Sequence, residues 1–160
     1  MHIRPYQPDD AAAVWRILEP VIRAGETYAL PPDMDKPEAL DYWAGGDHSC
    51  FVAELEGEVQ GTYFLRPNQL GGGAHVANAG YATLEEARGQ GIARAMCVHS
   101  LENAAERGYR LMQFNFVVSS NVSAVTLWQR CGFDIVGTVP EAFDHPRLGY
   151  VDAHIMARRL

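Results

Sequence analysis

Apolar positions along this chain switch between two periods, and the switches mark its elements. His2 to Tyr6 reads as a short strand. Pro8-Asp9-Asp10 then opens a helix, since proline suits a first turn and carboxylates there complement the helix dipole. Val14, Ile17, Leu18, Val21 and Ile22 follow at spacings of three and four, a stripe to be buried. Pro20 falls inside the stripe and predicts a kink or an early end, and Gly25 closes the helix. A loop from Gly25 to Asp33 leads to a second short helix, Pro37 to Ala44. Ser49 to Leu55 and Glu58 to Leu65 alternate as half-buried strands do, with Glu56-Gly57 as a tight hairpin between them. Arg66 to Ala74, with Pro67-Asn68 and the Gly71-Gly72-Gly73 run, predicts a mobile loop.

The middle of the chain carries its most informative stretch. His75 to Thr83 predicts a strand, with Gly80 inside it; Ile92, Ala95, Met96, Leu101, Ala104 and Ala105 then recur at helical spacing until Gly108. Tyr81 to Ala93 is therefore a strand end, a short polar turn and the first turn of a helix. A helix start leaves about four N–H groups without intrahelical partners and carries partial positive charge. Gly89 and Gly91 let a ligand approach that backbone without meeting a Cβ, so the turn suits a pyrophosphate. A dinucleotide fingerprint needs a third glycine where Arg94 stands, and a nucleotide P-loop needs a lysine where the chain has none, Lys36 being its only one. Beyond it, Arg110 to Val118 reads as a strand, and Ser119-Ser120-Asn121 offers N-caps for a helix ending at Gly132. Asp134 to Val139 and Tyr150 to Ala157 predict the last two strands, joined by a polar loop from Pro140 to Gly149.

Arg88-x-x-Gly91-x-Ala93 resembles the pyrophosphate motif of the GNAT superfamily of acetyl-CoA-dependent N-acetyltransferases. A second block, Asn121-x-x-Ala124-x-x-Leu127-Trp128-x-x-x-Gly132-Phe133, resembles that family's pattern at every position except Trp128, where the family has tyrosine. The predicted order, β-α-α-β-β-β-α-β-α-β-β, is also that family's. The resemblance implies an α/β (α+β) fold over a single domain, residues 1–160: a mixed, mostly antiparallel sheet of six to seven strands, helices on both faces, and a splay between the fourth and fifth strands. It further implies acetyl-CoA or CoA as the cofactor. Tyr81, Ala82 and Thr83 would pair with the pantetheine arm, and Arg88, Gly89, Gln90, Gly91, Ile92 and Ala93 would hold the pyrophosphate. Asn121 would meet the arm or simply cap its helix, and Trp128 would line the same site. The chain looks most like the small-molecule branch that acts on azetidine-carboxylate and phosphinothricin, with direct attack in a ternary complex. Protein or peptide acetylation and a non-catalytic acyl-CoA sensor are the alternatives. Pairing of the last strands between two copies, a homodimer, is a further expectation.

Composition narrows the partners. The chain has 160 residues, 48% hydrophobic and 21% charged, with a formal net charge of −7. Scattered arginines on an acidic chain argue against nucleic acid, and no apolar run reaches the roughly 20 residues of a membrane span. Cys50, Cys97 and Cys131 are too far apart in sequence for a CxxC pair and read as reduced core thiols of a cytoplasmic protein. The histidines lack ligand spacing, and nothing in the expected chemistry needs a metal.

Acetyl transfer asks for an uncharged amine, a polarised carbonyl and a leaving thiolate. Trp128 can donate a hydrogen bond but cannot supply a proton near neutral pH. A bulge at Gly80 would free a strand N–H for the oxyanion, unless the glycine only relieves crowding. Asn78 and Asn115, amides among strand hydrophobes, either grip the acceptor in the cleft or satisfy nearby backbone groups. Glu26 and Glu85 either act as the base or are exposed, inert carboxylates, and by the resemblance Glu26-Thr27-Tyr28 is expected to cover the acceptor end.

Overall fold

A computed structural model describes all residues, 1–160. Its strands are β1 (His2–Pro5), β2 (Ser49–Leu55), β3 (Glu58–Pro67), β4 (Val76–Thr83), β5 (Leu111–Val118), β6 (Asp134–His145) and β7 (Gly149–Arg159). The α-helices are α1 (Ala11–Ala24), α2 (Lys36–Ala44), α3 (Ile92–Glu106) and α4 (Val122–Arg130). All seven strands form one sheet in the order β1-β2-β3-β4-β5-β7-β6. Every neighbouring pair is antiparallel except β4 and β5, which run parallel.

Strand alternation divides the interior into two cores. Phe51, Ala53, Tyr63 and Leu65 turn to the face covered by α3 and α4, where Met96, Cys97, Leu101 and Phe133 complete one cluster. Their neighbours Cys50, Val52 and Phe64 turn to the other face and meet Val14, Ile17, Leu18 and Ile22 of α1 with Trp43 of α2. The three thiols are free and buried, and burial pushes the Cys50 thiol up to about 11. No helix is long and apolar enough to cross a membrane.

Three sequence expectations need correction. Helix α1 does not end early at Pro20 but runs on to Ala24, where left-handed Gly25 (φ 62°) closes it as the sequence expects. Its buried stripe outweighs the one backbone bond that proline removes. Pro140 to His145 is not loop but the second half of β6. The ladder with β7 shifts between Val139 and Phe143 around left-handed Glu141 (φ 52°), which hides the alternation from a sequence reading. Gly80 carries no bulge: it pairs in register with Phe64, and a Cβ there would lie 2.5 Å from the Phe64 ring. Relief of crowding is its role.

The start of α1 is tied to the sheet by charge. Arg4 grips both oxygens of Asp10 at 2.8 Å, and Asp10 also accepts from the Gln7 N–H at 2.7 Å. The guanidinium bond, ahead of the opposing effect of burial, holds the Asp10 carboxyl below the usual carboxylate range. A depressed folded-state value gives stability that is complete above the unfolded value of about 3.9 and is lost as pH falls through the folded one. Asp10→Asn is expected to cost about 1–3 kcal/mol at pH 7 in urea unfolding, with the gap to wild type closing below about pH 4. A gap that stayed constant down to pH 3 would contradict this assignment.

Candidate active site

The site begins where β4 and β5 part. They pair only at Val76↔Leu111 and Ala77↔Met112. At the fork, the Asn78 side chain donates to the Gln113 carbonyl at 2.9 Å. Past it the strands separate, and a cleft of about 770 Å³ opens along the free edge of β4. Antiparallel pairing alternates, so if Gly80 and Ala82 bond to β3, then Ala79, Tyr81 and Thr83 turn their main chain toward the gap. Tyr81 bears this out directly. Its N–H donates to the Tyr28 hydroxyl, and that hydroxyl donates back to the Tyr81 carbonyl, both at 2.9 Å. Ala82 lines the cleft, but its main chain faces β3.

One end of the cleft is the turn into α3. Gly89 (φ 80°) and Gly91 (φ 79°) are left-handed, and nothing lies within 4 Å of where a Cβ on either would sit. No side chain caps α3. The N–H groups of Ile92, Ala93 and Arg94 precede the first intrahelical bond, from Ala95 to Gly91, and are free for an anion. Arg88, Gly89, Gly91, Ile92 and Ala93 line the cleft here, whereas Gln90 is exposed outside it. Across the gap, Asn121 caps α4 through the Ala124 N–H at 3.3 Å while lining the cleft. Ser120, which the sequence reading used only as a cap, has its Oγ buried in the same wall without a partner. Bare left-handed glycines, free amides and an orphaned hydroxyl fit a ligand with a diphosphate and a polar arm.

The floor is aromatic. Trp128 packs on Tyr81 and Phe114, with ring centroids 4.8 and 5.2 Å apart. The Tyr81 hydroxyl turns away to Ser100 Oγ at 2.6 Å, and burial raises its pKa well above the ordinary tyrosine range. Tyr150 stands outside, 69% exposed.

The far end gathers Glu26, Thr27 and Tyr28 from the loop after α1 with His145, Arg147 and Leu148 from the end of β6 and its turn. Arg147 and Glu26 form an ion pair at 2.8 Å. The asparagines belong elsewhere. Asn78 spends its amide on Gln113, and exposed Asn115 bonds the Asn68 side chain at 2.6 Å; neither lines the cleft. Alternation explains it for Asn115, because Phe114 and Phe116 beside it take the cleft side of β5. Glu85 is solvent-exposed in the turn after β4, beside Arg88.

This fold and cleft belong to a known class of acyl-transfer proteins. Residues 15–133 match the model of the acetyltransferase (GNAT) family, and the chain belongs to that family. It is similar to a GCN5-related N-acetyltransferase from Kribbella flavida, 40% identical, with a TM-score of 0.94 over 99% of this chain and 97% of that one. It is also similar to N-acetyltransferase aca1 of Schizosaccharomyces pombe, 27% identical over 84% of this chain and 72% of that protein. A phosphinothricin acetyltransferase (Pat) from Sinorhizobium meliloti in complex with AcCoA shares the fold, with a TM-score of 0.86 at 19% identity over 99% and 88% of the two chains.

Tyr28 is the one side chain that satisfies the exposed edge of β4. Burial, the dominant influence, pushes its phenol well above the ordinary range and keeps it protonated. Tyr28→Phe is expected to lower stability by about 1–3 kcal/mol in urea unfolding and to speed hydrogen exchange at the Tyr81 amide. Unchanged exchange there would contradict the assignment.

Proposed function

We propose that this protein transfers acetyl from acetyl-CoA to the amine of a small molecule or amino acid, by direct attack within a ternary complex. The observation that carries the reading is continuity: one cleft joins the Gly89–Ala93 cradle to the Glu26–Arg147 pair along the unpaired edge of β4. Acetyl-CoA supplies the acetyl group as a thioester, activated for attack. Gly89, Gly91 and the N–H groups of Ile92, Ala93 and Arg94 take its diphosphate. Thr83 and Tyr81 take its arm, Asn121 and Ser120 lie opposite, and Trp128 packs beside them. An arm that bonds the Tyr81 main chain exchanges places with the Tyr28 hydroxyl.

Glu26 is the group assigned to the proton. An alkyl ammonium has a pKa near 10 and does not attack, so its proton must leave before or as the C–N bond forms. Glu26 is the carboxylate in the cleft wall at the end away from the cradle. The C–S bond then breaks, and the sulfur departs as a thiolate of pKa about 8.5, protonated by solvent. No acid is asked of Trp128, which therefore holds position through its ring.

Acceptor size follows from the charges at the Glu26 end. Arg147 and Glu26 place opposite charges within 2.8 Å of each other at the far end of the cleft, a spacing that supports a small acceptor carrying both charges. A cytoplasmic location belongs to the same reading, supported by three buried free thiols. So does a homodimer through edge strand β6, supported by exposed Val136 and Val139.

Thiol release from acetyl-CoA with a panel of amines and amino acids tests the function. Turnover is expected with small amines; tight binding without turnover would make the chain an acyl-CoA sensor instead. Gly91→Ala, forcing a Cβ onto a left-handed cradle residue, is expected to weaken CoA binding at least about tenfold by calorimetry. Glu26→Gln should lower kcat by about 10²-fold or more with CoA affinity unchanged, and wild-type kcat in that variant would remove Glu26 from the mechanism.

A further inference from the structure

His145 ends β6 and is only 5% exposed. Its Nδ1 accepts from the main-chain N–H groups of Arg147 and Leu148, both at 3.2 Å. A ring nitrogen that accepts twice carries no proton, so the neutral ring bears its proton on Nε2. Both bonds of the ring go through Nδ1; Nε2 has no protein partner, although the residue is part of the cleft wall. Nε2 is not among the buried polar atoms left without a partner, so its N–H is open to an acceptor in the cleft.

Beside it stands the Arg147–Glu26 pair, with side chains 74% and 34% exposed. An ion pair this open contributes little to stability and is readily exchanged for a ligand. Its two charges are in contact at 2.8 Å, so a ligand replacing both must carry its own opposite charges close together. An α-amino acid does. A guanidinium with a neutral N–H donor matches a single carboxylate, and the neighbouring Glu26 matches the amino group.

We propose that His145 and Arg147 form a carboxylate subsite that selects amino-acid acceptors and sets their amino group against Glu26. The inference rests on the acetyltransferase reading above and adds the groups that choose the acceptor. A peptide acceptor would present its amine beside a neutral amide carbonyl, without the carboxylate charge that pairs with the guanidinium.

The test compares proteinogenic amino acids with their own carboxamides in the thiol-release assay. Wild type is expected to favour the acids by at least about tenfold in kcat/KM. Arg147→Met should reduce that preference to within about threefold by raising KM for the acids, and Arg147→Lys should restore part of it. Nitrogen-15 spectra of the CoA complex give a second readout: an amino acid, but not its carboxamide, should shift the His145 Nε2 resonance. Equal use of acids and carboxamides by wild type, or an unchanged preference in Arg147→Met, overturns the subsite while leaving the enzyme. Absence of turnover with every amine overturns both.

Discussion

Two parallel strands that begin side by side and then part are the constraint on which this molecule depends. β4 and β5 share a ladder for two residue pairs only. Every main-chain group beyond it on the facing edges needs another partner, because an unsatisfied buried amide or carbonyl is costly. The protein meets part of that need itself, through Asn78 at the fork and Tyr28 at Tyr81. The rest of the edge is left to a ligand, and the same divergence makes room for it. Binding surface and structural defect are thus one feature, held open by two hydrophobic cores that fix the sheet on either face.

The cleft also explains how an acidic chain can receive an acidic cofactor. A formal charge of −7 gives no general attraction for a diphosphate. On the proposed reading attraction is local instead: free N–H groups at the start of α3, glycines that let the ligand come close, and Arg88 and Arg94 in the wall. The opposite end carries one charge of each sign, Glu26 and Arg147, in contact. On the same reading, donor and acceptor are told apart by where charge lies within the cleft.

Much of this was legible in the residues. Periodicity placed the main elements, their order with the Arg88–Ala93 and Asn121–Phe133 blocks carried the resemblance that implied the sheet, and Gly89 and Gly91 marked a turn that does open α3, because those signals are local in sequence. What escaped reading depends on contacts between distant segments. Tyr28 reaches β4 across 53 positions, a bond that no spacing announces. His145 was assigned to a polar loop, since the shift around Glu141 breaks the period-two pattern that would have extended β6 to it, whereas Arg147 does lie in the turn that follows. Asn78 and Asn115 drew attention correctly as amides among hydrophobes, yet each is satisfied within the protein, at the fork and at Asn68. A buried polar residue in a strand signals a constraint, and only geometry tells whether that constraint is the fold or the ligand.

An amide-resolved NMR titration of the whole chain with CoA addresses the central claim most directly. The largest shifts should fall on two separate stretches, Gly89 to Arg94 and the gap-facing residues Ala79, Tyr81 and Thr83, with exchange of the Tyr81 amide changing as Tyr28 is displaced. Shifts confined to the outer face of the sheet, or none at saturating CoA, would contradict a cofactor seated on the open edge of β4.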